Sequence, residues 1–337
     1  MVQDLRDIEL VLKNLRKENN VAIDFLGKMK EDKSIGRIST GLISLDNILG
    51  GGLPDRGVVE IYGKPSAGKT TLTLWILAQA QKVGKTAYFL DVEQEFDIDW
   101  ALKNGLDVEN IVFSQPSSLE QALNIATGII HSGNGGVLII DSLAALTPQK
   151  VLDGKMDDET IGLKAKKLSQ FLGMVCGIIN ETRTLVIFTN QWRDKIGYGA
   201  SDSPGGWASK HHFNLRMKVE GGNKGDLITG GNGYPVATTS RVTTTKNKHA
   251  PPYRTAEFRI NFSKGIDKEF DLVESALQIG VVEKSGAWFK YEDEKIQGKE
   301  SFMEYLSSPE VFNVVDKEVR EKLGLIPASE KERGIPQ

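Results

Sequence analysis

Apolar residues in this chain recur with two different periods, and the change of period divides it. Over residues 5–30 a charged segment carries Leu5, Ile8, Leu12 and Leu15 at helical spacing, which predicts a short helical appendage with one apolar stripe. Such a stripe must be buried, on the chain's own core or on a second copy, and taken alone these residues favour the own core. From residue 58 short apolar runs alternate with longer helical patterns. VVEIY (58–62), TAYFL (86–90), NIVF (110–113), VLII (137–140) and TLVIFT (184–189) read as strands, with helices at 69–82, 119–132 and 160–180. Continuously apolar strands separated by helices predict a parallel sheet covered on both faces. After residue 213 the pattern turns polar, and Thr-rich alternation at 236–246 and again at 255–262 predicts antiparallel strands that extend the sheet. A small α/β unit follows from residue 266, and PASEKERGIPQ reads as a loose tail.

Composition narrows the class. At 337 residues, with 39% hydrophobic and 26% charged positions, the chain has room for one large domain and one or two small appendages. Its formal net charge of -3 excludes a generically basic nucleic-acid binder, so any DNA affinity has to come from local clusters of Lys and Arg. A single cysteine, Cys176, rules out an internal disulfide and fits a reducing compartment. The first residues, MVQDLRDIEL, are charged and show no secretory core, and no apolar run reaches the length of a membrane span. The expectation is a soluble cytoplasmic protein with no membrane partner.

The strongest local signal is GKPSAGKTT at 63–71, which matches G-x-x-x-x-G-K-[ST] after a strand and before a helix. In such a loop the backbone of Gly63, Lys64, Pro65, Ser66, Ala67 and Gly68 wraps the phosphates of ATP, and the helix N-terminus adds positive potential. Lys69 reaches the β- and γ-phosphates, the Thr70 hydroxyl can ligate Mg²⁺, and Thr71 continues the phosphate-binding turn. VLIIDS (137–142) sets Asp141 at the C-terminal end of a buried strand, where doubly wound sheets hold ligands and where a carboxylate can hold Mg²⁺ through its water shell. Alone, such an aspartate is as readily a helix cap; beside the phosphate loop it becomes a metal ligand.

Glu93, in FLDVEQEFD, lies just past another strand and can activate water for attack on the γ-phosphate. Among Asp91, Glu95 and Asp97 it reads equally well as one surface carboxylate of an acidic loop. Gln191 ends TLVIFTNQ and leads into a loop, so it can report the γ-phosphate to whatever that loop touches. On pattern alone an ordinary strand-end amide is the commoner meaning.

Read together, the segments STGLISLDNILGGGLPDRGVVEIYGKPSAGKTTLTL, FLDVEQEFD, SQPSSLEQAL, VLIIDSLAALTP, IFTNQWRDKIG, TKNKHAPPYRTAEF and EKSGAWFKYEDEKI occur in one order. From about residue 35 to about residue 298 the chain resembles bacterial-type RecA recombinases, with divergence that suggests a phage-encoded member. The resemblance implies a RecA-like P-loop NTPase core over 35–265, an N-terminal helical oligomerisation segment over 1–34, and a small C-terminal domain with a tail over 266–337. It implies an ATP- and Mg²⁺-dependent DNA-stimulated ATPase that forms helical filaments on single-stranded DNA and exchanges strands with homologous double-stranded DNA. Glu93 then matches the catalytic glutamate and Gln191 the coupling glutamine. Asp97 and Trp100 match adenine contacts, with Trp100 in place of a tyrosine. Lys246 and Lys248 match lysines that reach the ATP of the adjacent subunit, although KNKHAPPYR alone reads as a solvated basic loop.

Two loops, about 150–161 and 192–210, match the family's DNA-binding loops. Lys166, Ser169, Arg193, Lys195, Ile196, Gly205, Gly206, Trp207 and Lys210 fall on DNA-contacting positions, and Lys284, Lys290 and Lys295 are candidates for duplex contact in the C-terminal unit. The chain departs from the family at Gln94, Gly173, Trp207 and His211, which puts subunit coupling and DNA geometry, not the ATPase, in question. The competing readings are a ring helicase on a related core and a filament that coats DNA with ATP as an assembly switch only.

Overall fold

A computed structural model describes residues 2–19, 24–25, 35–154, 161–192, 203 and 210–325. Contacts divide the chain into two units, Met1–Gly36 and Arg37–Gln337. Among the described residues, the first holds the helix Val2–Asn19, on which Ile8, Leu10, Val11 and Leu15 are exposed. Of the helical segment expected over 5–30, residues up to Asn19 are helical, in a helix that starts at Val2; residues 20–23 and 26–30 lie outside the described residues.

The second unit opens with an antiparallel ribbon of β1 (Arg37–Ile38) and β2 (Leu53–Pro54) around the helix Ile43–Leu49. Its main sheet has ten strands: β3 (Gly57–Gly63), β4 (Ala87–Asp91), β5 (Ile111–Ser114), β6 (Gly136–Asp141), β7 (Thr184–Gln191), β8 (Leu215–Gly221), β9 (Leu227–Thr229), β10 (Pro235–Asn247), β11 (Thr255–Asn261) and β12 (Gly265–Ile266). They lie in the order β12-β11-β10-β8-β3-β7-β6-β4-β5, with β9 beside β10. Pairing is parallel from β8 across to β5, and antiparallel from β8 through β10 and β11 to β12. The antiparallel extension expected after residue 213 is therefore real from β10 onward, but β8 joins β3 in parallel. Its buried Leu215, Met217 and Val219 alternate in a way that fixes a strand without fixing its direction.

Strand alternation sorts the core into two layers. Val59, Ile61, Ile139 and Ile187 pack under the helix Lys69–Lys82, while Val58, Leu138, Ile140, Val186 and Phe188 pack against the helices Leu119–His131 and Ile161–Thr182. Both faces of the central strands are covered, so β3 and β6 are buried along their whole length. The C-terminal ends of β3, β4, β6 and β7 are left as one edge, the place where ligands bind in such sheets.

The described residues close with the helix Lys268–Gln278, the small antiparallel sheet β13 (Glu283–Ser285), β14 (Trp288–Tyr291) and β15 (Glu294–Gln297), and the helices Lys299–Leu306 and Pro309–Lys322. Phe289, Phe302, Leu306, Val315 and Val319 form its own core, which Ile43 joins. The helix Ile43–Leu49 has no capping side chain of its own. Asp271 supplies it, accepting the N–H groups of Ile43 at 2.5 Å and Ser44 at 3.3 Å and the Ser44 hydroxyl. Arg320 adds an ion pair to the buried Asp46 at 2.9 Å.

Burial pushes the Asp271 carboxyl up to about 7, with the nearby Asp46 charge in the same direction. The folded chain therefore holds a proton there that the unfolded chain has already released. This contribution to stability is present in acid and is lost as pH rises towards about 7. Asp271→Asn should remove that slope, so the melting temperature of the unsubstituted protein should fall relative to the variant between pH 4 and pH 7, and parallel curves would refute the assignment.

Candidate functional site

Residues 64–68 turn from β3 into the helix Lys69–Lys82, and the turn depends on glycine at both ends. A Cβ at Gly63 would lie 2.0 Å from the Val219 carbonyl oxygen, so β3 and β8 could not approach. Gly68 has φ +91°, and a Cβ there would meet Ile260 Cδ1 at 2.6 Å. The Lys69 ammonium folds over the loop and donates to the Lys64 carbonyl at 2.8 Å. Burial lowers its pKa, and the charges of Asp141 and Glu93 oppose that shift.

Across the loop, at the end of β6, Asp141 is held on both oxygens. Thr70 Oγ1 donates to Oδ2 at 2.8 Å, and Thr189 Oγ1, from the end of β7, donates to Oδ1. Burial raises the Asp141 pKa, the two hydroxyls oppose that, and Glu93 adds to it. Glu93 sits just beyond the end of β4 with Ser142 Oγ donating to its Oε1. Its position is built by the neighbouring strand and by Asp91. The backbone N–H groups of Val92 and Glu93 donate to the Asp141 carbonyl at 2.7 and 3.3 Å. The Asp91 carboxylate accepts the N–H groups of Glu95 and Phe96 and the Gln115 amide, which folds the acidic turn back.

These groups surround a cleft of about 380 Å³ lined among others by Ser66, Gly68, Lys69, Thr70, Thr71, Glu93, Trp100, Asp141 and Gln191. Trp100 forms one wall, its indole N–H donating to Thr71 Oγ1 at 3.1 Å. Pro65, Ile260 and Phe262 give the cleft apolar surface suited to a flat ring. Asp97 does not line it: its carboxylate caps the helix Ile98–Lys103 by accepting the Trp100 N–H at 2.9 Å, and so sets Trp100 indirectly. Gly63, Lys64 and Ala67 are not among the residues that line it.

A hydroxyl and a carboxylate in contact are hard oxygen donors, as Mg²⁺ requires. Among the described residues no group of three or more His, Cys, Asp or Glu could hold a metal by itself, so a cation here needs phosphate and water as further ligands. The donor set fits a magnesium nucleotide better than a metal held by protein alone.

Lys246 and Lys248 lie at and just past the far end of β10 and line none of this cleft. The Lys246 ammonium donates to the carbonyls of Lys210 at 2.8 Å and His211 at 3.2 Å. Burial, then Lys248 and Arg216, lower its pKa. Lys166 is exposed and Ser169 half-buried on the helix Ile161–Thr182, and Lys210 is half-buried. Arg193, Lys195, Ile196, Gly205, Gly206 and Trp207 lie outside the described residues.

The sequence did not point to Thr189, Ser142 or Asp91, which hold the two acidic groups in place. Their contacts cross from strand to strand and leave no local pattern; the one signal available was the polar run Thr189-Asn190-Gln191 closing an apolar strand.

Among known proteins, the family models described as the RecA N-terminal domain and the RecA C-terminal domain match residues 6–267 and 270–324. The chain is 41% identical to Protein RecA of Aquifex aeolicus (strain VF5) over 326 residues, 94% of this chain and 93% of that protein. It is 40% identical to Protein RecA of Chloroherpeton thalassium over 324 residues, covering 91% of this chain and 90% of that protein, and 39% identical to Protein RecA of Streptococcus pyogenes serotype M5 over 331 residues, covering 96% and 87%.

Proposed function

This chain belongs to the RecA family, and from that premise we propose how its own residues carry out ATP-driven DNA recombination. As a family member it is a recombinase and a DNA-dependent ATPase. One observation carries the residue-level reading: Lys69, Thr70, Glu93, Asp141 and Gln191 converge on one cleft at the C-terminal edge of a parallel sheet.

The phosphate loop from Gly63 to Thr71 holds the ATP phosphates with its backbone N–H groups, and Lys69 carries the charge nearest the β- and γ-phosphates. Trp100 stacks on the base, positioned by Asp97 and Thr71. Thr70 and Asp141 would hold Mg²⁺, which would supply positive charge to offset the charge developing on the phosphate. Glu93, oriented by Ser142, takes the proton from the attacking water. Gln191 contacts the γ-phosphate and starts the second DNA-binding loop.

Residues 1–34 join protomers into a helical filament, 35–265 form the ATPase core with DNA loops at about 150–161 and 192–210, and 266–337 form the small C-terminal domain. Lys246 and Lys248 complete the site of the adjacent protomer. Lys166, Ser169, Arg193, Lys195, Ile196, Gly205, Gly206, Trp207 and Lys210 line the path of single-stranded DNA, to which homologous duplex is matched. Among the described residues no helix is long and apolar enough to cross a membrane, and we place the protein in the cytoplasm.

Electron microscopy with single-stranded DNA and a non-hydrolysable ATP analogue should show long helical filaments; closed six-membered rings would favour a helicase. Lys195→Ala and Lys210→Ala should each reduce the slope of log affinity against log salt by about 0.7 for single-stranded DNA. Unchanged slopes in both would remove the second loop from the DNA site.

A further inference from the structure

Asp141 accepts two side-chain hydroxyls, and a cation in the cleft would treat them differently. Its Oδ2 meets Thr70 Oγ1 at 2.8 Å. These are the two oxygens that would serve a cation, so its entry would part them. Its Oδ1 accepts the hydroxyl of Thr189, which lines none of the cleft. That second bond can persist in the loaded site. Among the described residues, Thr189 would then be the one side-chain donor left on Asp141.

The position of Thr189 follows from strand register. β6 and β7 run parallel with Ile140 beside Phe188, so the next residues, Asp141 and Thr189, adjoin. On the other side β3 sets Ile61 beside Thr189. Two residues back along β7, Ile187 shares the apolar layer of Ile61 and Ile139 under the helix Lys69–Lys82. Thr189 continues that face and is fully buried. Its carbonyl accepts the Leu143 N–H at 2.9 Å, which ties it to the backbone just past Asp141 as well.

Packing alone does not call for a hydroxyl here. Valine has nearly the same shape and suits a buried strand. What valine lacks is the donor. Without it Asp141 Oδ1 would be a buried acceptor with no partner, and the carboxylate would gain by swinging towards another donor and taking Oδ2 out of place. The two common divalent cations differ in how far they tolerate such movement. Mg²⁺ demands a near-ideal octahedron of oxygens, whereas Ca²⁺ accepts about six to eight in a loose shell. A carboxylate held in one orientation favours the first; a swinging one penalises it more than the second.

We propose that Thr189 is a positioning residue that fixes Asp141 in one orientation and thereby makes the nucleotide site prefer Mg²⁺ over Ca²⁺. The inference rests on the reading above in which Thr70 and Asp141 would hold the cation.

The test is the affinity of the full chain for a mant-labelled non-hydrolysable ATP analogue, read by fluorescence in saturating Mg²⁺, in saturating Ca²⁺ and in EDTA. The unsubstituted protein should bind most tightly with Mg²⁺, less tightly with Ca²⁺ and weakest in EDTA. Thr189→Val should reduce the gain from Mg²⁺ over EDTA by about 10–100-fold, as loss of a group that orients a metal ligand does. The gain from Ca²⁺ should fall far less, and the affinity in EDTA should stay the same. Thr189→Ser, which keeps the hydroxyl, should restore the Mg²⁺ gain. Should Thr189→Val not fold, Thr189→Ala carries the same expectation. An unchanged Mg²⁺ gain, or equal losses in Mg²⁺ and Ca²⁺, would overturn the proposal. So would equal weakening in all three conditions, which would mark Thr189 as a packing residue. An unsubstituted protein that binds the analogue equally well in Mg²⁺ and in EDTA would instead overturn the cation site on which the proposal rests.

Discussion

Glu93→Gln should lower DNA-stimulated ATP turnover by about 10²–10⁴-fold and leave nucleotide-dependent DNA binding in place. The substitution keeps size and shape. The amide carbonyl it introduces can still accept the Ser142 hydroxyl, which in the native protein donates to Glu93 Oε1. The loop around it stays folded because Asp91, not Glu93, accepts the N–H groups of Glu95 and Phe96. What should disappear, on the proposed role of Glu93, is the ability to take a proton from water in the cleft it shares with Lys69 and Thr70. Of the other carboxylates at this edge, Asp91 is buried and occupied and Asp141 is held by two hydroxyls, which leaves Glu95 as the competing base. Steady-state hydrolysis with saturating single-stranded DNA, run beside an anisotropy titration, separates the cases. Normal turnover in Glu93→Gln with loss in Glu95→Gln would move the base to Glu95.

The ease of reading this chain varied with how local each feature is. The phosphate loop and Asp141 were legible because each is a short motif on a strand whose continuous apolar character announces it. The five parallel strands expected between residues 58 and 189 are found at β3, β4, β5, β6 and β7, within a residue or two at each end. Strand order was not legible. The insertion of β8 beside β3 is set by pairing between distant segments, Val59 with Leu215 and Gly63 with Val219, and no period within either segment encodes it. Glu60 was invisible for a related reason: one polar residue in VVEIY looks like an exposed strand position until Asn190, Ser203 and Arg216 are brought to it. Sequence spacing reveals what a residue does within its own element, and the supporting contacts of this site lie between elements.

The second large effect concerns Lys248, whose replacement by alanine should lower DNA-stimulated turnover by roughly 10²–10³-fold, as loss of a charge supplied in trans does. Within one chain neither Lys246 nor Lys248 lines the cleft that holds Glu93. Lys246 is bent back onto the carbonyls of Lys210 and His211. The two lysines and Arg216 therefore form a cationic cluster, and after burial their mutual repulsion lowers the Lys246 pKa further, a cost that a phosphate from outside the chain would relieve. In a head-to-tail filament the cluster of one protomer can face the cleft of the next. Mixing tests this without ambiguity from folding. Glu93→Gln and Lys248→Ala are each expected to be nearly inactive alone. In equimolar mixed filaments about a quarter of the interfaces pair an intact Glu93 with an intact Lys248, so about a quarter of native turnover should return if the lysine acts across a head-to-tail interface. If both residues served the same chain, no site could be complete and mixing would recover nothing. Recovery that also depends on the ratio of the two proteins, peaking at equal amounts, would fix the contact as one from the lysine of one protomer to the glutamate site of its neighbour.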